Sequence, residues 1–180
     1  MSTAATAAIS FAALYVGHQI GDHVVQSDWA ATTKAAPSPD ELAAGVPPWT
    51  GWSACLRHVA SYTGTQAVAL GFVAIVAPLV LAGAVAALLV SASTHAVIDR
   101  RWIVHRLIRA KGCQNWTEGP YLIDQSLHKG ALLIASVVAA TVGGIVGVLA
   151  VAGAAVALLA GALAAERWLA YSRCAAPAHG

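Results

Sequence analysis

Two long stretches without Lys, Arg, Asp or Glu dominate the chain, His58 to Ile98 and Gly130 to Ala165. Polar and ionisable residues gather outside them or at their edges. The first stretch is 41 residues long. As one helix rising 1.5 Å per residue it would run about 60 Å, twice the hydrocarbon core of about 30 Å. It therefore crosses twice, and Pro78 begins the second crossing, where its missing N–H costs no helix bond. The second stretch, with Gly143, Gly144 and Gly147 near its centre, likewise predicts a helical hairpin. The first seventeen residues are apolar and no Lys or Arg precedes Lys34. That pattern lacks the basic start of a secretory signal and predicts a retained first helix.

The resulting expectation is all-α: one integral membrane helical bundle over 1–174 and a short tail at 175–180. Five transmembrane helices are predicted at about 4–27, 51–76, 78–110, 120–143 and 146–171. Polar loops join them at 28–50 and 111–119, the first rich in proline.

Composition supports lipid as the solvent. The chain is 58% hydrophobic and 10% charged, against roughly 25% charged for a soluble domain. A net charge of +2 gives no footprint for nucleic acid. All ten Lys and Arg residues fall on the side that holds 28–50, 100–120 and the C-terminus. The positive-inside rule then predicts N-out and C-in, a multi-pass protein of the plasma membrane with its charged face cytoplasmic. The six tryptophans fall on the same side and suit an interfacial belt. Gly143, Gly147, Gly153 and Gly161, with the many alanines, are expected to let helices approach closely. Cys55, Cys113 and Cys174 are far apart and form no metal-binding pair.

Three His/Asp pairs share one spacing: His18 with Asp22, His95 with Asp99, and Asp124 with His128. Residues four apart lie on one helical face, so each pair can aim at one point. Gln26 extends the first stripe by a further turn, and His58 starts helix 2, followed by Tyr62 and Gln66 at helical spacing. The predicted topology carries all of these to one membrane face. Carboxylates near hydrocarbon are costly unless paired or bound to a cation. His and Asp donors without thiolates suit Zn²⁺, Mn²⁺ or Fe²⁺, and the set is large enough for one or two divalent ions. The competing reading is a polar packing network in which Arg100 or Arg101 neutralises Asp99. His23, His105 and His179 stand outside the constellation. The basic run from Arg100 to Lys111 anchors helix 3 at an anionic leaflet or, with Lys34, grips a phosphate-bearing group.

The segments HQIGDHVVQSDWAATTK (18–34), THAVIDRR (94–101) and LIDQSLHKG (122–130) resemble a bacterial membrane family, domain of unknown function 3307. The resemblance spans roughly 10–140 and matches at His18, Asp22, Gln26, Lys34, His58, His95, Asp99, Asp124, Gln125 and His128. It implies a fold and no reaction, and the proline-rich loop at 35–50 departs from the pattern. A looser similarity is to membrane-bound metal-dependent hydrolases, which also place His and Asp on helices near a membrane face.

These readings converge on a metal-dependent hydrolase at the cytoplasmic leaflet, acting on a lipid or isoprenoid phosphate. His18, Asp22, His95, Asp99, Asp124 and His128 would bind metal, with His58 a further ligand or general base. Gln26, Gln125 and Lys34 would orient substrate. No GxSxG motif supports acyl-enzyme chemistry. The alternatives are a non-enzymatic metal or haem binder and a structural membrane protein with a polar packing cluster.

Overall fold

The computed structural model describes residues 2–174, and every regular element among them is helical. α1 (Thr3–Ile20) is capped by the Ser2 hydroxyl and runs into a π-turn at Gly21–Val25. Two short helices follow, α2 (Asp28–Thr33) and α3 (Pro39–Ala43). α3 begins with a reciprocal capping box: Ser38 Oγ accepts from Glu41 N, and Glu41 Oε2 accepts from Ser38 N at 2.8 Å. Those bonds hold the Glu41 carboxyl below its ordinary pKa. α4 (Trp52–Val76), α5 (Leu81–Asp99), α6 (Trp102–Lys111), α7 (Gly119–Thr141) and α8 (Ile145–Cys174) complete the chain.

Four helices, Trp52–Val76, Leu81–Asp99, Gly119–Thr141 and Ile145–Trp168, are long and apolar enough to cross a membrane. Large apolar side chains such as Phe72, Ile75, Leu81, Ile134 and Val156 point outward from them, where a soluble protein would place charge.

α1, α4, α5 and α7 pack into a closed ring, each touching the next, around Leu14, Leu70, Ala87, Leu132 and Ala135. α8 stands outside this ring. The Gly130–Ala165 stretch does turn at 142–144, but α8 lies against α5 and α3 rather than forming a hairpin packed on α7. One end of the bundle joins Thr3 and Thr6 to Pro78 and to 139–143. The chain thus runs up and down, and the ends of α1 and α5 meet the starts of α4 and α7 at the other end.

Two expectations need correction. The predicted helix over 78–110 is broken: α5 stops at Asp99, Arg101 takes a left-handed conformation (φ 62°), and α6 starts afresh. α6 is amphipathic, and it buries Val104 and Ile108 against Ile123, Leu127 and Ala131 of α7. A continuous helix would carry that apolar stripe past the end of α7, so burying it favours the break. The second correction concerns close packing. Gly143, Gly153 and Gly161 have no neighbour within reach of an added Cβ among the described residues. Gly147 meets only Val142, in the turn before α8, and the tight contacts between helices lie instead at Gly83, against the Ala139 carbonyl on α7, and at Gly17 and Gly21, against the backbone of Gln66 and Tyr62 on α4. A Cβ on Gly17 would fall 2.8 Å from Gln66 Cα, and one on Gly21 would fall 3.2 Å from Tyr62 Cα. This small-xxx-small seam draws α1 onto α4 and brings Asp22 to His58.

The seam yields a direct test. Gly17→Leu should destabilise the protein by about 1–3 kcal/mol through overpacking. Gly64→Ala, on the open face of α4, should be neutral or slightly stabilising. Thermal unfolding in detergent distinguishes them.

Candidate metal centre

Each helix of the ring contributes donors to one cluster. α1 and its π-turn bring His18 and Asp22, α4 brings His58, α5 brings His95 and Asp99, and α7 brings Asp124, Gln125 and His128. All four imidazoles are at least 98% buried. The π-turn carries Asp22, and such one-turn distortions are frequent at functional sites.

The centre of the cluster is a quartet. His58 Nε2 and His95 Nε2 stand 3.0 Å apart. Asp22 Oδ1 is 3.2 Å from His58 Nε2 and 3.4 Å from His95 Nε2. Asp99 Oδ2 is 3.4 Å from His58 Nε2 and 3.1 Å from His95 Nε2. Donor atoms of Asp22, His58 and His95 lie within 4.8 Å of one another, and ligands held about 2.0–2.1 Å from a tetrahedral ion are separated by about 3.3 Å, so these three have the spacing of metal ligands, with Asp99 beside them. Asp22 Oδ1 and Asp99 Oδ2 are buried and close to two ring nitrogens, yet neither accepts a hydrogen bond of proper geometry. The two ring nitrogens are hydrogen-bonded to each other, while the two buried carboxylate oxygens beside them accept nothing, an arrangement that would suit a cation.

A second group adjoins the first and shares His95. Donor atoms of His18, His95 and His128 lie within 4.8 Å of one another. His128 Nε2 has no hydrogen-bond partner and stands 3.7 Å from Asp124 Oδ2 and 3.8 Å from Asp99 Oδ1. His18 Nε2 meets Gln125 Oε1 at 3.2 Å, and its Nδ1 is 3.5 Å from Asp22 Oδ2. Tyr62 stacks on the His95 ring at 3.7 Å between centroids. The Tyr62 hydroxyl pairs with Ser91 Oγ, and Gln66 Nε2 donates to it and to Leu14 O. Tyr62 and Gln66, noted in the sequence only for their spacing, thus fix the plane of a central imidazole.

Three of the residues expected to face substrate are placed differently. Lys34 is 95% buried and its ammonium binds Asp99 Oδ1 at 2.8 Å. Gln125 is buried and committed to His18. Gln26 does not continue the α1 stripe, because the π-turn ends at Val25 and Gln26 is extended (ψ 127°). The competing packing network also changes its partners: Lys34 neutralises Asp99, whereas Arg100 turns away to Glu166.

Arg100, fully buried, uses all five guanidinium N–H groups. Its Nε and Nη2 donate to Glu166 at 2.8 and 3.2 Å, Nη1 donates to the Lys34 and Ala35 carbonyls, and Nη2 also donates to Thr50 O. Its guanidinium lies 4.8 Å from the Trp52 ring centroid, and Trp52 Nε1 donates to Glu166 Oε2 at 2.9 Å. Gly51, at φ 90°, gives the loop room, since a Cβ there would sit 2.8 Å from Arg100 Nη1. This clamp ties the 34–50 loop, α4 and α8 to the end of α5. Sequence reasoning missed it, although Glu166 is the one carboxylate on α8 and a lone acid in an apolar helix signals a buried partner. Trp52 consequently serves the clamp, while Trp29, Trp49, Trp116 and Trp168 remain exposed as a belt would be.

Charge accounting completes the electrostatics. Around the quartet, Asp22, Asp99 and Asp124 face one ammonium, that of Lys34. Asp124 is part-exposed and within reach of the Arg101 charge, so with neutral imidazoles the buried pair Asp22 and Asp99 carries one negative charge beyond that of Lys34, which a divalent cation would offset. Cys55 and Cys113 are buried free thiols bonded to backbone carbonyls and take no part. His179 lies outside the described residues. No known protein family, curated protein or solved structure matches this chain.

Proposed function

We propose that this chain is a membrane-embedded, metal-dependent hydrolase acting on a lipid or isoprenoid phosphate at the cytoplasmic leaflet. The observation that carries the reading is the quartet of His58, His95, Asp22 and Asp99, in which each ring nitrogen lies 3.0–3.4 Å from the other and from both carboxylates, with two unpartnered carboxylate oxygens. Those four residues are the ligands. A divalent ion held there supplies Lewis acidity and lowers the pKa of a water. With Asp22, His58 and His95 as ligands and Asp99 as a fourth, a water reaches the ion by expansion of the shell to five-coordination or through the higher coordination number of Mn²⁺ or Fe²⁺. His18, His128 and Asp124 form the second ligand set, for a second ion or as orienting groups. Lys34 and Gln125 act as positioning residues for Asp99 and His18. Asp124, half-buried, marks the side from which substrate approaches.

In this reading α1 is a fifth span, the N-terminus is outside, and the charged end faces the cytoplasm of a bacterial plasma membrane. The three ordered His/Asp motifs support membership in the family of domain of unknown function 3307. A haem reading is disfavoured, because imidazole nitrogens 3.0 Å apart leave no slot for a macrocycle. A polar packing network is the second reading, favoured by the Lys34–Asp99 pair at 2.8 Å and needing a protonated imidazole beside Asp22 for charge balance.

Elemental analysis of protein purified in detergent without chelator tests the proposal. About one or two divalent ions per chain are expected, lost in Asp22→Ala/Asp99→Ala. Phosphate release from a lipid phosphate monoester should fall with the metal. Absence of stoichiometric metal from the wild type would overturn the metalloenzyme reading in favour of the network.

A further inference from the structure

A separate cavity of about 300 Å³ opens between α6 and the proline-rich loop. Its apolar wall includes Pro37, Leu42, Pro48 and Trp102, and its polar wall is built by His105, Arg106 and Arg109. Its floor is the Arg100–Glu166 pair, which divides it from the His/Asp cluster.

The charge balance of this cavity is positive. Arg106 and Arg109 stand three residues apart on one helical face, are exposed, and make no ion pair among the described residues. The two carboxylates that reach the cavity are committed, Glu166 to Arg100 and Trp52 and Glu41 to Ser38. Burial, with Arg101 and Arg109, holds the His105 pKa below its ordinary value. Arginines placed this way suit a phosphate, which accepts paired N–H bonds from a guanidinium fork. The opposite wall of proline, leucine and tryptophan suits the carbons attached to that phosphate, which a free inorganic anion lacks. The cavity also lies at the end of the bundle where the charged residues are collected, beside helices that expose apolar side chains.

We infer that the cavity between α6 and the 35–48 segment binds the phosphate headgroup of an anionic membrane lipid, with Arg106 and Arg109 as its anion-binding residues. The inference is independent of the chemistry at the His/Asp cluster. A lipid seated there bridges α6 and the loop, and so covers the clamp that positions Lys34.

Native mass spectrometry and equilibrium binding in a neutral detergent test the inference, with phosphatidylglycerol, phosphatidylcholine and inorganic phosphate as probes. The wild type should retain phosphatidylglycerol and bind it at least about tenfold more tightly than phosphatidylcholine. Arg106→Gln/Arg109→Gln should lose about tenfold or more, while Arg57→Gln/Lys111→Gln, with charges on the same side but outside the cavity, should stay within about twofold. Metal content, measured on the same preparations, should be unchanged by either pair, which separates this site from the centre. Equal losses in both variants would reduce the effect to general attraction and overturn the site. Equal wild-type affinity for the two lipids, a comparison that needs no variant, would overturn it too. Displacement of the lipid by millimolar inorganic phosphate would reassign the cavity to a free anion.

Discussion

Chelation of the wild-type protein is expected to lower its unfolding temperature sharply, and to leave Asp22→Asn/Asp99→Asn unchanged. A ligand that binds only the folded chain stabilises it by about 4 kcal/mol when present at a thousand times its dissociation constant. For a chain of this size each kcal/mol corresponds to roughly 2–4 °C, so the chelated wild type should unfold about 8–16 °C lower. The reason lies in the charge balance at the quartet. Without a cation, Asp22 and Asp99 are left buried and only one of them has a full counter-charge, from Lys34 at 2.8 Å. The carboxamide variants keep the shape and remove both charges. They also deprive the buried Lys34 ammonium of Asp99, so they should be less stable than the loaded wild type, and chelator should not lower them further. A polar packing network predicts no effect of chelator on the wild type either, because its carboxylates hold protonated imidazoles and chelator has nothing to remove. Scanning calorimetry or a thermal-shift assay with and without chelator, on both proteins, decides between them.

Arg100→Met is expected to be among the most destabilising single substitutions in the chain, at about 3–5 kcal/mol. It strands Glu166, 93% buried, and orphans the carbonyls of Lys34, Ala35 and Thr50, which Arg100 satisfies. Arg100→Lys should not restore stability, because three donors on a flexible stem cannot serve five acceptor contacts fixed by a planar fork. Arg100→Met/Glu166→Leu should recover much of the loss, since removing both partners leaves no isolated charge. The clamp also acts on the centre. The Lys34 carbonyl accepts from Arg100 while the Lys34 ammonium holds Asp99, so loosening one loosens the other. A drop of about 10–100-fold in metal affinity is expected for the double variant even where its fold is retained. Denaturation in detergent and metal competition measure the two effects separately. A double variant that folds and binds metal normally would show that the clamp serves stability alone.

The helical class and the gathering of chemistry at one end were legible in the sequence because each depends on a local rule. Charge-free length sets how many times a stretch can cross lipid. His/Asp pairs four apart share a face whatever packs against them. Once Pro78 reverses the chain, the ends of α1 and α5 must meet the starts of α4 and α7. His18, Asp22, His58, His95, Asp99 and His128 could therefore be assigned to one cluster from spacing and topology, without any contact being known.

The partners inside that cluster were not legible. Lys34 and Asp99 are far apart in sequence, and so are Arg100 and Glu166. Nothing local distinguishes Lys34, which reaches Asp99, from Arg100, its immediate neighbour in sequence, which does not. The choice follows from the left-handed turn at Arg101, which ends α5 and frees α6 to bury Val104 and Ile108 on α7. It follows equally from Gly17 and Gly21, which let α1 approach α4 where Gly143, Gly153 and Gly161 meet nothing. Sequence determined which groups must leave the hydrocarbon and at which end of the bundle they collect, because those are matters of solvation and periodicity. Only the tertiary structure decided which charge neutralises which, because pairing depends on ångström-scale distances between helices set by packing.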